Sequence, residues 1–387
     1  MANNRIYYAI QQVCIKPDLQ NIVTPVHGLQ SVGVTTNFNL TQAFELGQQS
    51  LYENIEEIPD VQISLKKVLD GYPPIYCLAT ADAATPTLAA RAVTKCAVNL
   101  SIYDESNTSA AGTPVGVMEA SGMYVSSIKY NFPKDGNFDE EITLVGNQKL
   151  WKGDSRVNAN QWAPYPAGGP TGIGQFDGTD QPLSIVGVAR RQDINFSWVP
   201  ANGKSAVAGY GNYILDPLAT CLPKEVAGIS DSGTNDLTNA NRARIDSISL
   251  SVNLNRENLT ELGRKTPYFR TPTFPVEVAT EISIMATSGD MISATESGIL
   301  STSNAPCTAD LGNVGNSTIR VCTCEGTRIY AGQKNKLASV NYTGGDAGGG
   351  QVTVSYTFHT FNDFTVIHSG EGQSWCGTAG YNSYLRN

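Results

Sequence analysis

The chain has 387 residues, which is enough for two domains of ordinary size. Only 16% of the residues are charged and the formal net charge is −9, an acidic balance that argues against tight binding to nucleic acid, because Lys and Arg supply most of the affinity for phosphates. No apolar run approaches the roughly 18 residues that a membrane-spanning helix needs. The first residues, Met1–Tyr8, lack the apolar core and small-residue cleavage site of a secretory signal, so we expect synthesis in a cytoplasm.

One segment occurs twice in the chain, at a constant offset of 216 residues. Ser31–Pro59 aligns without gaps on Ser247–Pro275, and eight of the 29 aligned positions are identical, whereas average residue usage would give about two by chance. A repeat of this kind predicts a duplicated domain. The expected units are a first domain over 1–152, a Gly/Pro-rich linker over 153–183, and a second domain over 184–387.

The order of elements is the same in both copies. Alternating apolar residues predict a strand that enters each copy and a second strand that leaves it. Between them, Leu40–Leu46 and Arg256–Leu262 are predicted as short helices, with Asn39 and Asn255 as N-caps and with Gly47 and Gly263 at their C-terminal ends. The entering strands contain Val32, Val34, Ile248, Leu250 and Val252, and the leaving strands contain Val61, Ile63, Leu65, Val278 and Ile282.

Further alternating runs predict that each copy is mostly β. They lie at 98–102, 125–130 and 141–145 in the first copy and at 319–321, 338–342 and 352–358 in the second. Thr87–Val93 is predicted as a helix, with Thr85 as its cap and Pro86 in its first position. Ala163–Pro182 holds nine Gly or Pro in 20 residues, too many for the interior of a helix or strand, and is the predicted linker.

The sequence contains no pattern that indicates catalysis or a bound cofactor. A Gly-x-Ser-x-Gly nucleophile elbow is absent, and Gly203-Lys204-Ser205 lacks the first glycine of a phosphate-binding loop, because Trp198 stands there. We therefore expect a protein that is not an enzyme and has no catalytic, cofactor-binding or metal site. The acidic clusters are expected to be solvated or to face a lumen, and they contain Glu53, Glu56, Glu57, Asp60, Asp139, Glu140 and Glu141.

The eight cysteines are dilute in a chain long enough to stabilise itself by burial, which favours free buried thiols. Cys322 and Cys324 lie two residues apart in a predicted strand, so their side chains share a face, which suits packing or a bridge between subunits better than zinc.

Several of these segments resemble the tail tube proteins (major tail proteins) of bacteriophages. In the first copy the resemblance rests on His27–Phe38, on Phe44-Glu-Leu-Gly47 with Leu51-Tyr52, and on Glu141–Asn147 with Trp151. In the second copy it rests on Asn255–Arg264, Pro267-Tyr268 and Asn362–Val366. The resemblance covers most of the chain, the linker least. It differs from many members of that family, which carry a single domain and form hexameric rings, in that the domain is duplicated here.

The resemblance implies a mainly β fold of two tandem β-sandwich or barrel domains, each with a short helix and a long connection between early strands. These connections, Asn39–Pro59 and Asn255–Pro275, would reach the next ring. The implied ring-stacking or inter-subunit residues are Glu45, Leu46, Gly47, Leu51, Tyr52, Glu261, Leu262, Gly263 and Tyr268.

The function implied is that of a structural virion protein that polymerises into stacked rings, the tail tube through which DNA is ejected into the host. Two domains per chain suggest a ring of three chains with pseudo-sixfold symmetry, with a hexamer as the alternative. Implied partners are the tail terminator, baseplate or tip proteins, the tape measure protein, a sheath in a contractile tail, and DNA in non-adhesive transit. A β-sandwich module that binds a receptor or glycan is the other function that the strands and aromatic residues allow.

Overall fold

The computed structural model describes residues 5–19, 23–110, 114–153, 182, 187–194, 244–264, 266–285, 319–323, 325–332, 334–344 and 350–368. Antiparallel strands dominate, so the prediction of a mainly β fold is confirmed. The predicted linker lies almost wholly outside the described residues, and the domain boundaries stay a prediction.

The described part of the first half of the chain contains ten strands and two short α-helices. The strands are β1 (Gln11–Pro17), β2 (Thr24–Pro25), β3 (Leu29–Asn37), β4 (Leu40–Phe44), β5 (Leu51–Glu56), β6 (Asp60–Val68), β7 (Cys96–Ile102), β8 (Gly116–Pro133), β9 (Asp139–Gly146) and β10 (Leu150–Gly153). The helices are α1 (Ile75–Ala79) and α2 (Leu88–Ala92). Helix α2 confirms the helix predicted over Thr87–Val93, but its cap is Thr87, whose hydroxyl accepts from the Ala90 N–H, so the predicted capping by Thr85 is wrong.

The described part of the second half contains nine strands. They are β11 (Arg244–Asn253), β12 (Arg256–Leu259), β13 (Phe269–Pro272), β14 (Glu277–Met285), β15 (Arg320–Cys322), β16 (Thr327–Tyr330), β17 (Lys336–Thr343), β18 (Thr353–Phe361) and β19 (Thr365–His368). Strands β15, β16 and β19 form a separate small sheet.

The sequence repeat is also a structural repeat. In the first copy the strands pair in the order β3-β6-β9-β8, and in the second copy in the order β11-β14-β18-β17. The bulges repeat as well. Gln30 is the extra residue of β3 and Asp246 that of β11, while Ser126 is the extra residue of β8 and Ala338 that of β17. Bulges locally bend and twist a strand, so the two copies share the shape of their sheets as well as the order of their strands.

The two copies join through their sheets. Strand β11 pairs antiparallel with the end of β8, from Ser247 opposite Pro133 to Asn253 opposite Ser127. Strand β8 is long enough to serve several neighbours, since its first half pairs with β7 and β10 and its second half with β9 and β11. Most buried apolar residues of both copies belong to one continuous core, and a smaller separate cluster contains Ile10, Ile102, Tyr103 and Ala110.

The two predicted helices after β3 and β11 are wrong, because both segments form β-hairpins. Strand β4 pairs with β5 to make the first hairpin, and β12 pairs with β13 to make the second. Asn39 does not cap a helix. Its amide donates to the carbonyl of Ile58 and to the carboxylate of Asp60, and so ties the two ends of the first hairpin together.

Glu140 is a second departure from expectation, because this acidic residue is fully buried and not solvated. Its carboxylate accepts hydrogen bonds from the N–H groups of Ile75 and Tyr76, at 2.5 and 3.1 Å, and from the Tyr130 hydroxyl at 2.6 Å. Burial raises the pKa of Glu140. The carboxylate satisfies backbone donors at the start of α1 that the helix itself leaves without partners, which gives this acid a structural role.

A buried histidine links the small sheet of the second half to the first copy. The Nε2 atom of His368 lies 2.9 Å from the Gly71 carbonyl and Nδ1 lies 3.1 Å from the Thr327 hydroxyl. A carbonyl only accepts, so Nε2 carries the proton of the neutral ring. Burial lowers the pKa of His368, which the nearby Glu325 carboxylate at 3.7 Å offsets only in part.

The lowered pKa of His368 predicts that the fold loses stability in mild acid. Below pH 6.5 the unfolded chain takes up a proton that the folded chain resists, so the free energy of unfolding should fall by up to about 1.4 kcal/mol between pH 7.5 and 5.5. Urea unfolding of the wild type and of His368→Gln at both pH values measures this contribution. Equal losses in the two proteins would show that His368 contributes nothing to the pH dependence.

Candidate assembly surface

The residues singled out by the repeat lie at the tips of the two hairpins. Gly47 and Gly263 turn the chain with φ of +100° and +85°, values that favour glycine. The turns match in detail. The Gln48 N–H donates to the Glu45 carbonyl, and the Arg264 N–H donates to the Glu261 carbonyl, both at 3.4 Å. Leu46 and Leu262 are fully exposed, each on the outer point of its hairpin.

The remaining predicted residues lie on the return strands of the hairpins. Leu51 and Tyr52 begin β5, and Tyr268 directly precedes β13; all three side chains are exposed. The structure therefore places the nine predicted residues in two equivalent groups, one on each hairpin.

The first hairpin exposes a large amount of apolar surface. Besides its tip, it presents Phe38, Leu40, Phe44 and Ile55 to solvent. Large exposed apolar patches are uncommon on proteins that stay monomeric and often mark surfaces for interaction with other proteins. The hairpin also carries exposed acidic residues, among them Glu53, Glu56 and Glu57.

The second hairpin, in contrast, is anchored on the first copy of the same chain. The Arg256 guanidinium donates from Nε to the Val125 carbonyl and from Nη2 to the Ala92 carbonyl, both at 2.7 Å, and stacks 4.8 Å from the Tyr124 ring. Burial lowers the pKa of Arg256 to about 10.

Two neighbours on β13 complete the contact of the second hairpin. The Phe269 ring meets the edge of Tyr124 with centroids 5.9 Å apart, and Arg270 pairs with Asp60 at 2.6 Å.

Removing the Arg256 guanidinium should destabilise the joint between the copies. Arg256→Met leaves three carbonyls, those of Val125, Ala92 and Arg270, without this donor. A buried acceptor that loses its partner costs about 1–3 kcal/mol, and because these bonds are only partly buried, the free energy of unfolding should fall by roughly 2–4 kcal/mol. Arg264→Met is the matched control, because Arg264 is half exposed and its pairing with Glu261, at 3.7 Å, is loose. Urea unfolding compares the two, and equal effects would refute a special role for Arg256.

Four strands of the large sheet, β2, β3, β10 and β17, have only one neighbour within the described residues. Strand β3 pairs with β6 alone, and β17 pairs with β18 alone. These are the counterparts of β11 and β8, the two strands that meet inside the chain. An exposed strand edge presents unpaired N–H and C=O groups that can pair with another chain.

The cysteines depart in part from the expectation of free thiols. Cys14 and Cys96 are free and buried, and burial raises the pKa of each thiol to about 12. Cys77, in α1, is disulfide-bonded. Its sulfur also accepts from the Arg91 guanidinium at 3.7 Å.

Within the described residues, no three His, Cys, Asp or Glu side chains are placed to hold a metal ion together. None of the helices in that part of the chain is long and apolar enough to cross a membrane.

No protein-family model and no curated protein matches this chain. Solved structures of tail-like particles do. A chain in the cryo-EM structure of the anti-feeding prophage baseplate is 12% identical, with 40% of this chain and 98% of that chain covered and a TM-score of 0.31. A chain in the sheath–tube complex of the extracellular contractile injection system PVC is 12% identical, with 39% and 94% covered and a TM-score of 0.29. A chain in the virion of a native gene transfer agent is 16% identical, with 36% and 95% covered and a TM-score of 0.23.

At these identities and TM-scores, the function of this chain is to be inferred from its own residues. Sequence reasoning singled out the repeated Glu-Leu-Gly, which lies at the hairpin tips, but it predicted helices there, and it missed the exposed edges of β3 and β17 and the contact of Arg256 with the first copy. Aligning the two copies places Arg256 at the position of Leu40, and this difference is the sequence signal that could have indicated the contact of Arg256.

Proposed function

We propose that this chain is a non-enzymatic structural protein that polymerises into stacked rings and forms the tube of a phage tail. The observation that carries the proposal is the joint between β8 and β11. One copy of the repeat already continues its sheet into the next copy, and the equivalent strands β17 and β3 are left at the outside.

A repeated head-to-tail joint of this kind leads to a closed ring or to an open helix. Three chains supply six copies, so the ring that we propose has three chains and pseudo-sixfold symmetry; a ring of six chains is the alternative. Closure pairs every exposed β3 and β17 edge and removes the unpaired backbone groups that would otherwise favour aggregation.

The hairpins provide the contact between stacked rings in this proposal. Their tips carry leucines that are fully exposed in the single chain, and the first hairpin adds the aromatic side chains of Phe38 and Phe44. Burying each leucine against an adjacent ring would contribute about 1.5–3 kcal/mol, and every ring would repeat the contact at each of its hairpins.

A tube built from this chain would be a conduit for DNA and not a DNA-binding protein. The net charge of −9 disfavours adhesion to a duplex that carries a phosphate charge about every 1.7 Å. The partners proposed for such a tube are the proteins at its ends, namely a terminator and a baseplate or tip, the tape measure protein inside it and, in a contractile tail, a sheath outside it. The protein would then be located in the virion, in the tail.

Sedimentation velocity over a roughly hundredfold range of protein concentration, followed by negative-stain microscopy of the fast-sedimenting fraction, tests the proposal. We expect assembly above a threshold concentration and hollow rings or tubes in the images. A fixed small oligomer at every concentration, with compact particles that do not stack, would reject the tube and favour the alternative of a receptor- or glycan-binding module.

A further inference from the structure

The joint inside the chain gives a residue-by-residue template for a joint between chains. In the joint, Lys129 of β8 lies opposite Ser251 of β11, and Ser127 lies opposite Asn253. These pairs point away from the core, since Lys129, Ser251 and Asn253 are exposed. Their neighbours along both strands, such as Tyr130 and Leu250, are buried.

The repeated bulges fix which residues of the exposed edges correspond to those in the joint. Aligning the bulged Ser126 of β8 with Ala338 of β17 places Asn341 at the position of Lys129 and Ser339 at that of Ser127. Aligning Gln30 of β3 with Asp246 of β11 places Thr35 at the position of Ser251 and Asn37 at that of Asn253. The aligned bulges therefore determine the register of β17 against β3.

Some positions that are buried in the joint between β8 and β11 are exposed at the corresponding places on β17 and beside β3. Tyr130 of β8 is 0% exposed, whereas its counterpart Tyr342 of β17 is 52% exposed. Leu254, which follows β11, is 0% exposed, whereas its counterpart Phe38 is 69% exposed. Tyr130 and Leu254 are thus buried at the joint between the copies, whereas their counterparts Tyr342 and Phe38 at the outer edges are exposed.

We propose that β17 of one chain pairs antiparallel with β3 of a second copy of this chain, with Asn341 opposite Thr35 and Ser339 opposite Asn37. The proposal rests on the proposed function, because it specifies the contact that closes the ring. It also places the Phe38 N–H of one chain at the Ala338 carbonyl of the next. Within the chain the Leu254 N–H donates to the Ser126 carbonyl at 2.7 Å in the equivalent place.

In this arrangement the first hairpin contacts the neighbouring chain. At the position of Phe269, which meets Tyr124 within the chain, the first copy has Glu53, and the counterpart of Tyr124 is Lys336. An aromatic contact in one joint is replaced by opposite charges in the other.

The contact of Arg256 with Val125 in the second hairpin also has a counterpart in the proposed joint between chains. At the position of Arg256 stands the exposed Leu40, and the counterpart of Val125 is the half-buried Leu337. In the proposed joint an apolar pair, Leu40 beside Leu337, therefore stands where the chain itself has a guanidinium that donates to the Val125 carbonyl.

Engineered disulfides test the register in assembled, full-length protein. Thr35→Cys with Asn341→Cys, and Asn37→Cys with Ser339→Cys, are the two in-register pairs, and all four sites are exposed. The swapped pairs, Thr35→Cys with Ser339→Cys and Asn37→Cys with Asn341→Cys, use the same residues two positions out of register. Their Cα atoms would lie roughly 7–8 Å apart, beyond the reach of a disulfide without movement of the backbone.

We expect the in-register pairs to give at least tenfold more covalently linked chains on a non-reducing gel than the swapped pairs, with oxidised wild-type protein as the background. Equal linkage from both sets, or more from the swapped set, would overturn the register. Hollow rings in the microscope without in-register linkage would reject this joint and leave the proposed function standing. Protein that forms no rings under any condition would reject both.

Discussion

Replacing the two hairpin-tip leucines by serine should weaken stacking while leaving the fold intact. In Leu46→Ser with Leu262→Ser, each substitution removes an apolar side chain that is fully exposed in the single chain. If each tip is buried against the next ring it contributes about 1.5–3 kcal/mol, so the threshold concentration for tube assembly should rise at least tenfold. The threshold is measured by sedimentation or by light scattering on dilution.

Two further measurements make the tip experiment specific. Leu19→Ser is the control, because Leu19 is also highly exposed but lies after β1, outside the hairpins; it should leave the threshold unchanged. The unfolding free energy of the double variant should stay within about 0.5 kcal/mol of the wild type, as is usual for surface substitutions. An unchanged threshold in the double variant would show that the tips are not the stacking contact.

Lys67→Met should destabilise the fold more than the loss of the Arg256 guanidinium does. The Lys67 ammonium is fully buried, and it donates to the Asp70 carboxylate at 2.5 Å and to the His27 carbonyl at 2.7 Å. Removing it leaves the Asp70 carboxylate buried without its counter-charge, which costs about 3–5 kcal/mol. Urea unfolding at neutral pH measures the change.

The neighbouring residue supplies the control for Lys67. The side chain of Lys66 is 41% exposed and pairs with Glu141 and Asp139 at the surface. Lys66→Met should therefore cost less than about 1 kcal/mol, the usual range for an exposed ion pair. The double variant Lys67→Met with Asp70→Asn should recover part of the loss, because no charge remains unpaired. Similar losses in Lys66→Met and Lys67→Met would contradict the importance of the buried pair.

The duplication is readable from sequence because the identical residues lie where the backbone makes strict demands. Gly47 and Gly263 both adopt positive φ, which few other residues tolerate. The paired asparagines Asn39 and Asn255 stand at the base of the two hairpins, where each carbonyl accepts from the chain that returns, at Glu57 and Thr273. Several of the eight identities therefore lie at the base or the tip of a hairpin.

The hairpins themselves could not be predicted from the local pattern. In Leu40-Thr-Gln-Ala-Phe44 the apolar residues stand three and four positions apart, which is the period of a helix, and a glycine follows at the expected helix end. The structure is decided by the partner strand β5, whose residues Leu51–Glu56 take up the backbone hydrogen bonds of β4. A glycine with positive φ serves the turn of a hairpin as well as the end of a helix.

The buried charges and the joint between copies were beyond sequence reasoning for a related reason. Lys67 and Glu140 are charged residues in alternating strands, where a charge ordinarily faces water, and only the three-dimensional fold shows that Asp70 and the start of α1 hold them inside. The pairing of β8 with β11 connects strands that are far apart in the sequence. No local pattern contains that information.

Averaged end-on views of the assembled protein by electron microscopy test the central claim most directly. If three chains with two copies each close a ring through repeated sheet joints, the views will show a hollow ring of six lobes of two alternating kinds, with threefold symmetry. A ring of six identical lobes would keep the tube but contradict the ring of three chains, and compact particles without a lumen would contradict the tube itself.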